Sequence, residues 1–264
     1  MKRYSFFTII LLLSAIFSYG VTGVDGSLTG KNVALLGDSM TWIGGDSCNV
    51  ARGWSSHFRR LASPASVRVY ARSGATWTNA PATKIDTGAF YDVLHDDNVL
   101  YTQAVRLLQD VKNGKCPAPD AVILYAGAND AWFADRRPGI FDSAEERAEG
   151  ALPTGLFGSV VAVCRILQKE WPQARLVLVT PAQMVQAPAA VVERVSATID
   201  SAGQVLGIEV IRTDRYGPVK ADEERRKPRR FTSDGIHTNP DGAAALARFI
   251  VGELESSHRH TTSN

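Results

Sequence analysis

Short runs of apolar residues alternate along the chain with longer segments in which apolar residues recur every three or four positions. The short runs are typical of buried parallel strands and predict strands at 32–36, 66–71, 121–125, 176–180 and 208–211. The periodic segments predict helices at about 53–61, 99–111, 157–167, 189–206 and from residue 240 onward. This alternation predicts an α/β fold, a parallel sheet covered by helices on both faces.

The boundaries indicate one large domain, at residues 31–256. Gly207 is suited to end the fourth helix, and Asn239 is suited to cap the last one, with Pro240 at its first position. The loops at 77–97 and 131–154 are longer than most connections, which often marks a functional rim. Residues 257–264 are polar, and we expect a disordered tail there.

The N-terminus has the features of a targeting segment. Lys2 and Arg3 precede an uncharged apolar run and a small-residue cleavage site, which predicts a signal peptide at 1–20 and a linker at 21–30. We therefore expect a secreted or periplasmic protein with no stable membrane span after cleavage. An uncleaved N-terminal anchor is the less favoured alternative, because the apolar core is short.

Charge and cysteine content bear on nucleic-acid binding and on disulfide formation. Without Lys2 and Arg3 the chain has 27 basic and 27 acidic residues, and this balance gives no support for nucleic-acid binding. The basic run at 225–230 follows an acidic one and is interpreted as a solvated loop. Three cysteines are an odd number for an exported protein, and the predicted positions of Cys48 and Cys116 are too far apart for us to expect a disulfide.

The first predicted strand leads directly into a Gly-Asp-Ser turn. A turn at the carboxyl end of a buried parallel strand can leave Ser39 protruding where ligands bind in open α/β sheets. Gly-Asp-Ser is also a common turn sequence, and a second copy occurs at residues 45–47. Because that copy does not follow a strand, Ser39 is the candidate nucleophile and Ser47 is interpreted as a loop residue.

Two more predicted strands end in residues that could assist such a nucleophile. Gly74 follows the second strand, and Asn129 follows the third. The backbone N–H groups of Ser39 and Gly74 and the side-chain amide of Asn129 could together stabilise an oxyanion. Taken alone, an asparagine at the end of a strand is more often a turn or cap residue.

A serine nucleophile needs a base, and the chain has five histidines. His237 lies just before the last helix, three residues after Asp234, which could orient its imidazole toward Ser39. His57 and His95 are interpreted as structural or solvated residues. The other two lie in the predicted tail. Residues 95–97 (HDD) resemble part of a metal site, but no second histidine cluster supports one, so we expect no metal.

These four blocks, Gly-Asp-Ser, a lone glycine, Gly-x-Asn-Asp and Asp-x-x-His, resemble the SGNH (GDSL-type) hydrolase family over residues 31–255. The resemblance implies a three-layer α/β/α sandwich with a flavodoxin-like parallel five-stranded sheet, and a serine hydrolase without a cofactor. It also implies that Ser39 is the nucleophile, His237 the general base and then acid, and Asp234 its orienting partner. Ser39, Gly74 and Asn129 would form the oxyanion hole.

The substrate is less constrained. Trp42, Trp77 and Trp132 each follow a predicted site residue by three positions, and exposed aromatic rings would suit stacking on sugars. The alternative is that they wedge the loops into the core. We expect hydrolysis of small acyl esters, above all acetyl, on a carbohydrate or another small ester substrate. A lipolytic esterase, lysophospholipase or thioesterase is the second candidate, and a non-catalytic glycan-binding module is the third.

Overall fold

The computed structural model of the chain describes residues 28–91, 93–137, 139–142 and 151–261. Its sheet is built from five strands, Asn32–Gly37 (β1), Ser66–Val69 (β2), Ala121–Tyr125 (β3), Arg175–Val179 (β4) and Glu209–Ile211 (β5). The described α-helices are Ser39–Trp42 (α1), Trp54–Ala62 (α2), Leu100–Lys112 (α3), Ala128–Trp132 (α4), Leu156–Glu170 (α5), Ala189–Leu206 (α6), Thr213–Tyr216 (α7), Ala221–Glu224 (α8) and Pro240–Thr261 (α9).

The five strands form one parallel sheet in the order β2-β1-β3-β4-β5. This is the flavodoxin-like order, and it confirms the predicted fold class. β2 lies on one side of β1, whereas β3, β4 and β5 follow one another on the other side. The order of the strands therefore switches sides between β1 and β3. In open α/β sheets, ligands bind outside the carboxyl ends of the strands at such a switch point. Gly37 lies opposite Tyr125, so β1 and β3 end level with each other. The loops that follow them therefore begin side by side.

Helices cover the sheet in two groups. α2 packs against α9, while α5 packs against both α3 and α6. The apolar stripe predicted for α9 is fully buried, as are the central residues of β1 and β3. Asn239 caps α9 by accepting a hydrogen bond from the Gly242 N–H at 2.9 Å, and Gly207 ends α6 in the left-handed conformation, as predicted.

Three boundaries differ from the predictions. β2 ends at Val69, two residues early, and the chain then runs without regular structure toward the sheet edge. α9 continues to Thr261, so the predicted disordered tail begins inside a helix. Leu28 is buried in the core, and Thr29 Oγ1 donates a hydrogen bond to the Ala62 carbonyl. The end of the predicted linker is therefore part of the domain.

Other predictions fall on segments that the structure does not describe. The predicted signal peptide and residues 21–27 of the linker lie outside the described residues, as do residue 138 and residues 143–150 of the 131–154 loop. Within the described part of the chain, no helix is long and apolar enough to cross a membrane. Cys48, Cys116 and Cys164 are each buried and free.

Candidate active site

Ser39 is the first residue of α1, directly after β1. Asp38 caps this one-turn helix, because its Oδ1 accepts a hydrogen bond from the Met40 N–H at 2.9 Å. Hydrophobic periodicity did not predict α1, since four residues are too few to show a period. Only 5% of Ser39 is exposed, so the residue is largely buried at the carboxyl end of β1.

A tight turn before α9 carries Asp234 and His237. Asp234 Oδ1 accepts hydrogen bonds from the backbone N–H groups of Ile236 and His237, at 3.0 and 2.7 Å. Gly235, between them, has a φ of +100°, a conformation that a residue with a Cβ rarely adopts. The turn is closed by a hydrogen bond from the Ser233 N–H to the His237 carbonyl. Both side chains are thereby held on one side of the loop.

This turn brings an imidazole to the Ser39 hydroxyl across 198 residues of sequence. His237 Nε2 lies 2.9 Å from Ser39 Oγ, and His237 Nδ1 lies 2.7 Å from Asp234 Oδ2. Both distances suit hydrogen bonds, and they form a chain from carboxylate to imidazole to hydroxyl. The three residues that the sequence suggested as a triad are therefore adjacent in the structure.

The Asp234 carboxyl is the charged end of this chain. Its partial burial raises its pKa, but hydrogen bonds from the His237 ring and from two backbone N–H groups outweigh burial, and the net pKa is lowered. An ionised Asp234 favours the tautomer in which His237 Nδ1 carries the proton. Nε2 is then free to accept a proton from Ser39.

The three suggested oxyanion donors follow the ends of β1, β2 and β3. Among the described residues, the N–H groups of Ser39 and Gly74 have no hydrogen-bond acceptor. Asn129, in α4, is 5% exposed, and its Nδ2 donates one hydrogen bond to the Ala75 carbonyl at 2.9 Å. The amide carries a second N–H, so this bond fixes the orientation of the group without using both donors.

Gly74 is required by its surroundings. It has a φ of +80°, and a Cβ at this position would lie 2.3 Å from the Val93 carbonyl carbon and 2.4 Å from the Leu94 nitrogen. The sequence suggested that this glycine allows a close approach to substrate. In the structure, the segment that approaches it is the end of the 77–97 loop. Any larger residue would displace that loop and the Gly74 N–H together.

Two buried carboxylates join the three loops at this end of the sheet. Asp38 Oδ2 accepts a hydrogen bond from the Ala128 N–H at 3.2 Å, which links the ends of β1 and β3. Asp130 accepts from the N–H groups of Trp77 and Thr78, both at 3.0 Å, which links the loop after β3 to the loop after β2. Sequence reasoning assigned neither carboxylate a role, although each lies next to a predicted site residue.

Burial in this cluster raises the pKa of Asp38 to about 7, against the opposing effect of its two backbone hydrogen bonds. The folded protein therefore retains a proton on Asp38 at pH values where the unfolded chain has released it, so stability should fall as pH rises from about 4 to about 7. We expect Asp38→Asn to remove this contribution. The measurement is urea unfolding at several pH values. Identical pH slopes for both proteins would contradict the assignment.

Gln103 of α3 holds Gly37, the residue before Asp38, through two hydrogen bonds. Its Oε1 accepts from the Gly37 N–H, and its Nε2 donates to the Gly37 carbonyl, both at 2.9 Å. The side chain thus hydrogen-bonds to β1 at Gly37, two residues past Leu35, which is the last β1 residue that pairs with β2. The helix predicted at 99–111 gave Gln103 no role, but positions 100, 103, 104 and 107 form a buried stripe in which it is the single amide.

We expect Gln103→Met to reduce the free energy of unfolding by about 1–3 kcal/mol, because the Gly37 N–H loses its buried partner. It should also lower kcat, since Asp38 alone separates Gly37 from Ser39. Gln109→Met, on the exposed side of the same helix, is the matched control; it loses only a solvent-exposed hydrogen bond from the Thr87 hydroxyl and should change stability by less than about 0.5 kcal/mol. Urea unfolding and initial rates check both. Equal stability of the two variants would contradict a structural role for Gln103.

Glu224 stabilises the turn that carries Asp234 and His237 by hydrogen-bonding the residues just before that turn. It is fully buried and accepts hydrogen bonds from the N–H groups of Phe231 and Thr232 and from the Thr232 hydroxyl. Thr232 Oγ1 in turn accepts from the Gly235 N–H at 3.1 Å. Glu224 ends the short acidic run that precedes the basic run at 225–230, and nothing in the sequence distinguishes it from the neighbouring acidic residues.

The three tryptophans suggested as substrate contacts differ in exposure. Trp77 is fully buried, so it cannot stack on a substrate, and the structure contradicts that prediction. The hydrogen bond from the Trp77 N–H to the buried Asp130 carboxyl explains the burial, because it holds the Trp77 backbone in the interior. Trp42 is half-buried in α1. Trp132 is 38% exposed and stacks on Phe133 with ring centroids 5.0 Å apart.

The remaining polar motifs have structural partners. His57 lies in α2 and its Nε2 is 2.9 Å from the Ala51 carbonyl oxygen. In the run at 225–230, Arg225 pairs with Asp222, and Arg230 pairs with Glu223. Within the described ranges, no group of three or more metal-binding side chains is placed to hold an ion.

Solved structures with the same fold extend over nearly the whole chain. A protein from Lactobacillus plantarum is 16% identical, with a TM-score of 0.58 over 86% of this chain and 98% of that one. A lipase/acylhydrolase from Enterococcus faecalis is 17% identical, with a TM-score of 0.52 over 86% and 96%. An acetyl xylan esterase is 17% identical, with a TM-score of 0.53 over 86% and 98%. At these identities the likeness shows the fold.

Family membership comes from the sequence itself. Comparison with curated proteins gives no match. The family model described as "GDSL-like Lipase/Acylhydrolase family" matches residues 35–245, a span that begins within β1 and ends within α9. It therefore includes Ser39, Gly74, Asn129, Asp234 and His237. The chain belongs to the GDSL-like lipase/acylhydrolase family and is a hydrolase that acts on esters.

Proposed function

We propose that the protein is a serine esterase that removes small acyl groups, principally acetyl, from a carbohydrate through an acyl-serine intermediate. One observation supports it above all: His237 Nε2 lies 2.9 Å from Ser39 Oγ, while His237 Nδ1 lies 2.7 Å from Asp234. Polarisation of a hydroxyl by an oriented imidazole is the arrangement that serine nucleophiles need.

In the proposed first half-reaction, Ser39 Oγ attacks the ester carbonyl carbon and His237 Nε2 takes the hydroxyl proton. The carbonyl oxygen becomes an oxyanion, which the N–H groups of Ser39 and Gly74 and the Asn129 amide stabilise. The bond to the alcohol then breaks, and His237 gives its proton to the leaving oxygen. The products are a free alcohol and an acyl ester of Ser39.

The second half-reaction regenerates the enzyme. A water molecule gives a proton to His237 Nε2 and attacks the acyl carbon, the same donors hold the second oxyanion, and Ser39 leaves with the proton from His237. The carboxylic acid is released. Asp234 stays ionised throughout and stabilises the imidazolium that forms twice in each cycle.

An aromatic surface favours a carbohydrate as the alcohol. Trp132 and Phe133 stack with an interplanar angle of 9° at the end of α4, three and four residues after Asn129. An exposed indole ring held against a second ring, as Trp132 is, suits stacking against a sugar. The acetyl xylan esterase among the structural neighbours is consistent with such a substrate. The apolar N-terminal segment would place the enzyme outside the cytoplasm, where glycans occur, which we propose as its location.

Hydrolysis of longer acyl chains is the second candidate. Val93 is 67% exposed and its backbone contacts Gly74, so it presents an apolar side chain near a proposed oxyanion donor. Initial rates on p-nitrophenyl acetate, octanoate and palmitate, with acetate release from acetylated xylan oligosaccharides, separate the two candidates. The proposal predicts the highest kcat/KM for acetate and measurable release from the oligosaccharide. A preference for palmitate would instead indicate a lipolytic enzyme.

A further inference from the structure

A cavity of about 410 Å³ lies between the loops that follow β2 and β3. Its walls include Asn79, Leu94 and His95 from the 77–97 loop, and Arg136, Arg137 and Thr154 from the 131–154 loop. Among the described residues that line it, none belongs to the Ser39–His237–Asp234 triad. The volume falls within the range of small-molecule sites. These are also the two long loops whose length suggested a functional rim.

The cavity adjoins the proposed oxyanion donors. Leu94 lines it, and the Leu94 nitrogen would lie 2.4 Å from a Cβ at Gly74. At the start of the same loop, Asn79 follows Thr78, whose N–H and hydroxyl donate to Asp130 at 3.0 and 2.8 Å. Part of a substrate in this cavity would therefore lie on the Gly74 and Asn129 side of the reacting ester.

Two arginines give the cavity an excess of positive charge. Arg136 is exposed, its guanidinium lies 5.1 Å from the Phe133 ring centroid, and within the described residues it forms no ion pair. Arg137 donates from Nη1 to the Thr78 carbonyl at 3.0 Å, and its charge is partly opposed by buried Asp130. The guanidinium of Arg136 is therefore the less compensated of the two.

His95 contributes a further donor. Its Nδ1 accepts a hydrogen bond from the Asp97 N–H at 3.1 Å, and its ring stacks on Tyr91 at 4.2 Å. In the neutral tautomer that this bond selects, Nε2 carries the proton. Asp96 also lines the cavity, so among the described lining residues one carboxylate stands against two guanidinium groups and an imidazole. Such a donor set suits an anionic ligand, and the planar fork of arginine matches a carboxylate.

From this charge and position we propose that the cavity binds a carboxylate on the alcohol portion of the substrate, so that the enzyme prefers acetylated acidic sugars over neutral ones. The inference rests on the proposed acetyl esterase function, because an acetyl group is too small to use a cavity of this size and leaves it to the sugar. Arg136 would be the principal specificity residue, and Trp132 and Phe133 would stack on a ring at its edge.

The test compares two substrates and three proteins. The substrates are an acetylated oligogalacturonide and the same oligosaccharide after reduction of its carboxyl groups to alcohols, with acetate release as the readout. The proteins are wild type, Arg136→Gln and Arg230→Gln. Arg230 is the control for loss of an exposed arginine over an aromatic ring, that of Phe231 at 4.5 Å; it pairs with Glu223 and does not line the cavity.

Wild type should cleave the acidic substrate with a kcat/KM about tenfold higher, mainly through a lower KM, and salt should reduce the difference. Arg136→Gln should lose the preference while keeping its rate on the reduced substrate, and Arg230→Gln should retain it. Equal rates of wild type on both substrates, acetate release from neither, or a preference unchanged in Arg136→Gln would overturn the inference. Failure to cleave p-nitrophenyl acetate as well would instead overturn the proposed esterase function.

Discussion

Replacing Ser39 with alanine should abolish ester hydrolysis, whereas Ser47→Ala should leave kcat and KM near their wild-type values. Ser39 Oγ is the hydroxyl within hydrogen-bond distance of His237 Nε2, and without it no acyl intermediate can form. Loss of the nucleophile in a serine triad costs on the order of 10⁶-fold in kcat. The measurement is the initial rate on p-nitrophenyl acetate.

Ser47 provides a control because both serines occur in the same tripeptide. Ser47 is exposed in a loop, and its carbonyl accepts a hydrogen bond from Arg59 Nη1 at 2.9 Å. Removing one surface hydroxyl should change the free energy of unfolding by no more than about 0.5 kcal/mol. Normal activity of Ser39→Ala, or loss of activity in Ser47→Ala, would refute the assignment of the nucleophile.

Replacing Asn129 with alanine should lower kcat by about 10²–10³-fold with little change in KM. The Ala75 carbonyl fixes the orientation of the amide, and its second N–H is proposed to bind the oxyanion, which exists only in the transition state and the tetrahedral intermediate. An interaction made only there reduces kcat without weakening substrate binding. The rate of phosphonate labelling should fall in parallel, because the tetrahedral phosphonate mimics the oxyanion.

The same substitution also removes the hydrogen bond to Ala75, so a structural effect must be separated from a catalytic one. Urea unfolding measured beside kcat separates the two effects, and Asn129→Asp is a second variant, since it keeps the size of the side chain but, when ionised, has no N–H donor for the Ala75 carbonyl or the oxyanion. We expect it to be as inactive as alanine while its unfolding transition remains cooperative. An unchanged kcat in both variants would show that Asn129 is not an oxyanion donor.

The sequence was sufficient to predict the sheet and the chain segments that meet at its edge. Buried parallel strands are short apolar runs, so β1 and β3 were located within one residue at each end. The positions of Ser39 and His237 at that edge followed from motif and strand context, because the carboxyl ends of parallel strands share one edge. The family resemblance then supplied the roles that residue types alone left open.

The supporting residues could not be predicted, because their contacts join segments distant in sequence. Gln103 meets Gly37 across 66 residues, and Asp130 meets Thr78 across 52. Local periodicity shows only that a residue lies on a helix face, and a glutamine within such a face is usually solvated. Trp77 is the opposite case: its spacing from Gly74 suggested an exposed substrate contact, but tertiary packing buries the side chain.

Covalent labelling with a p-nitrophenyl alkylphosphonate, followed by intact-mass measurement and peptide mapping, tests the proposed nucleophile most directly. The phosphonate reacts with a serine only when a base activates it, so a non-catalytic glycan-binding protein would remain unlabelled. We predict one adduct per chain, located on Ser39, with p-nitrophenol released in equal amount. An adduct on Ser47 or elsewhere, or no adduct on wild-type protein, would contradict the assignment of Ser39 and His237 as the reacting pair.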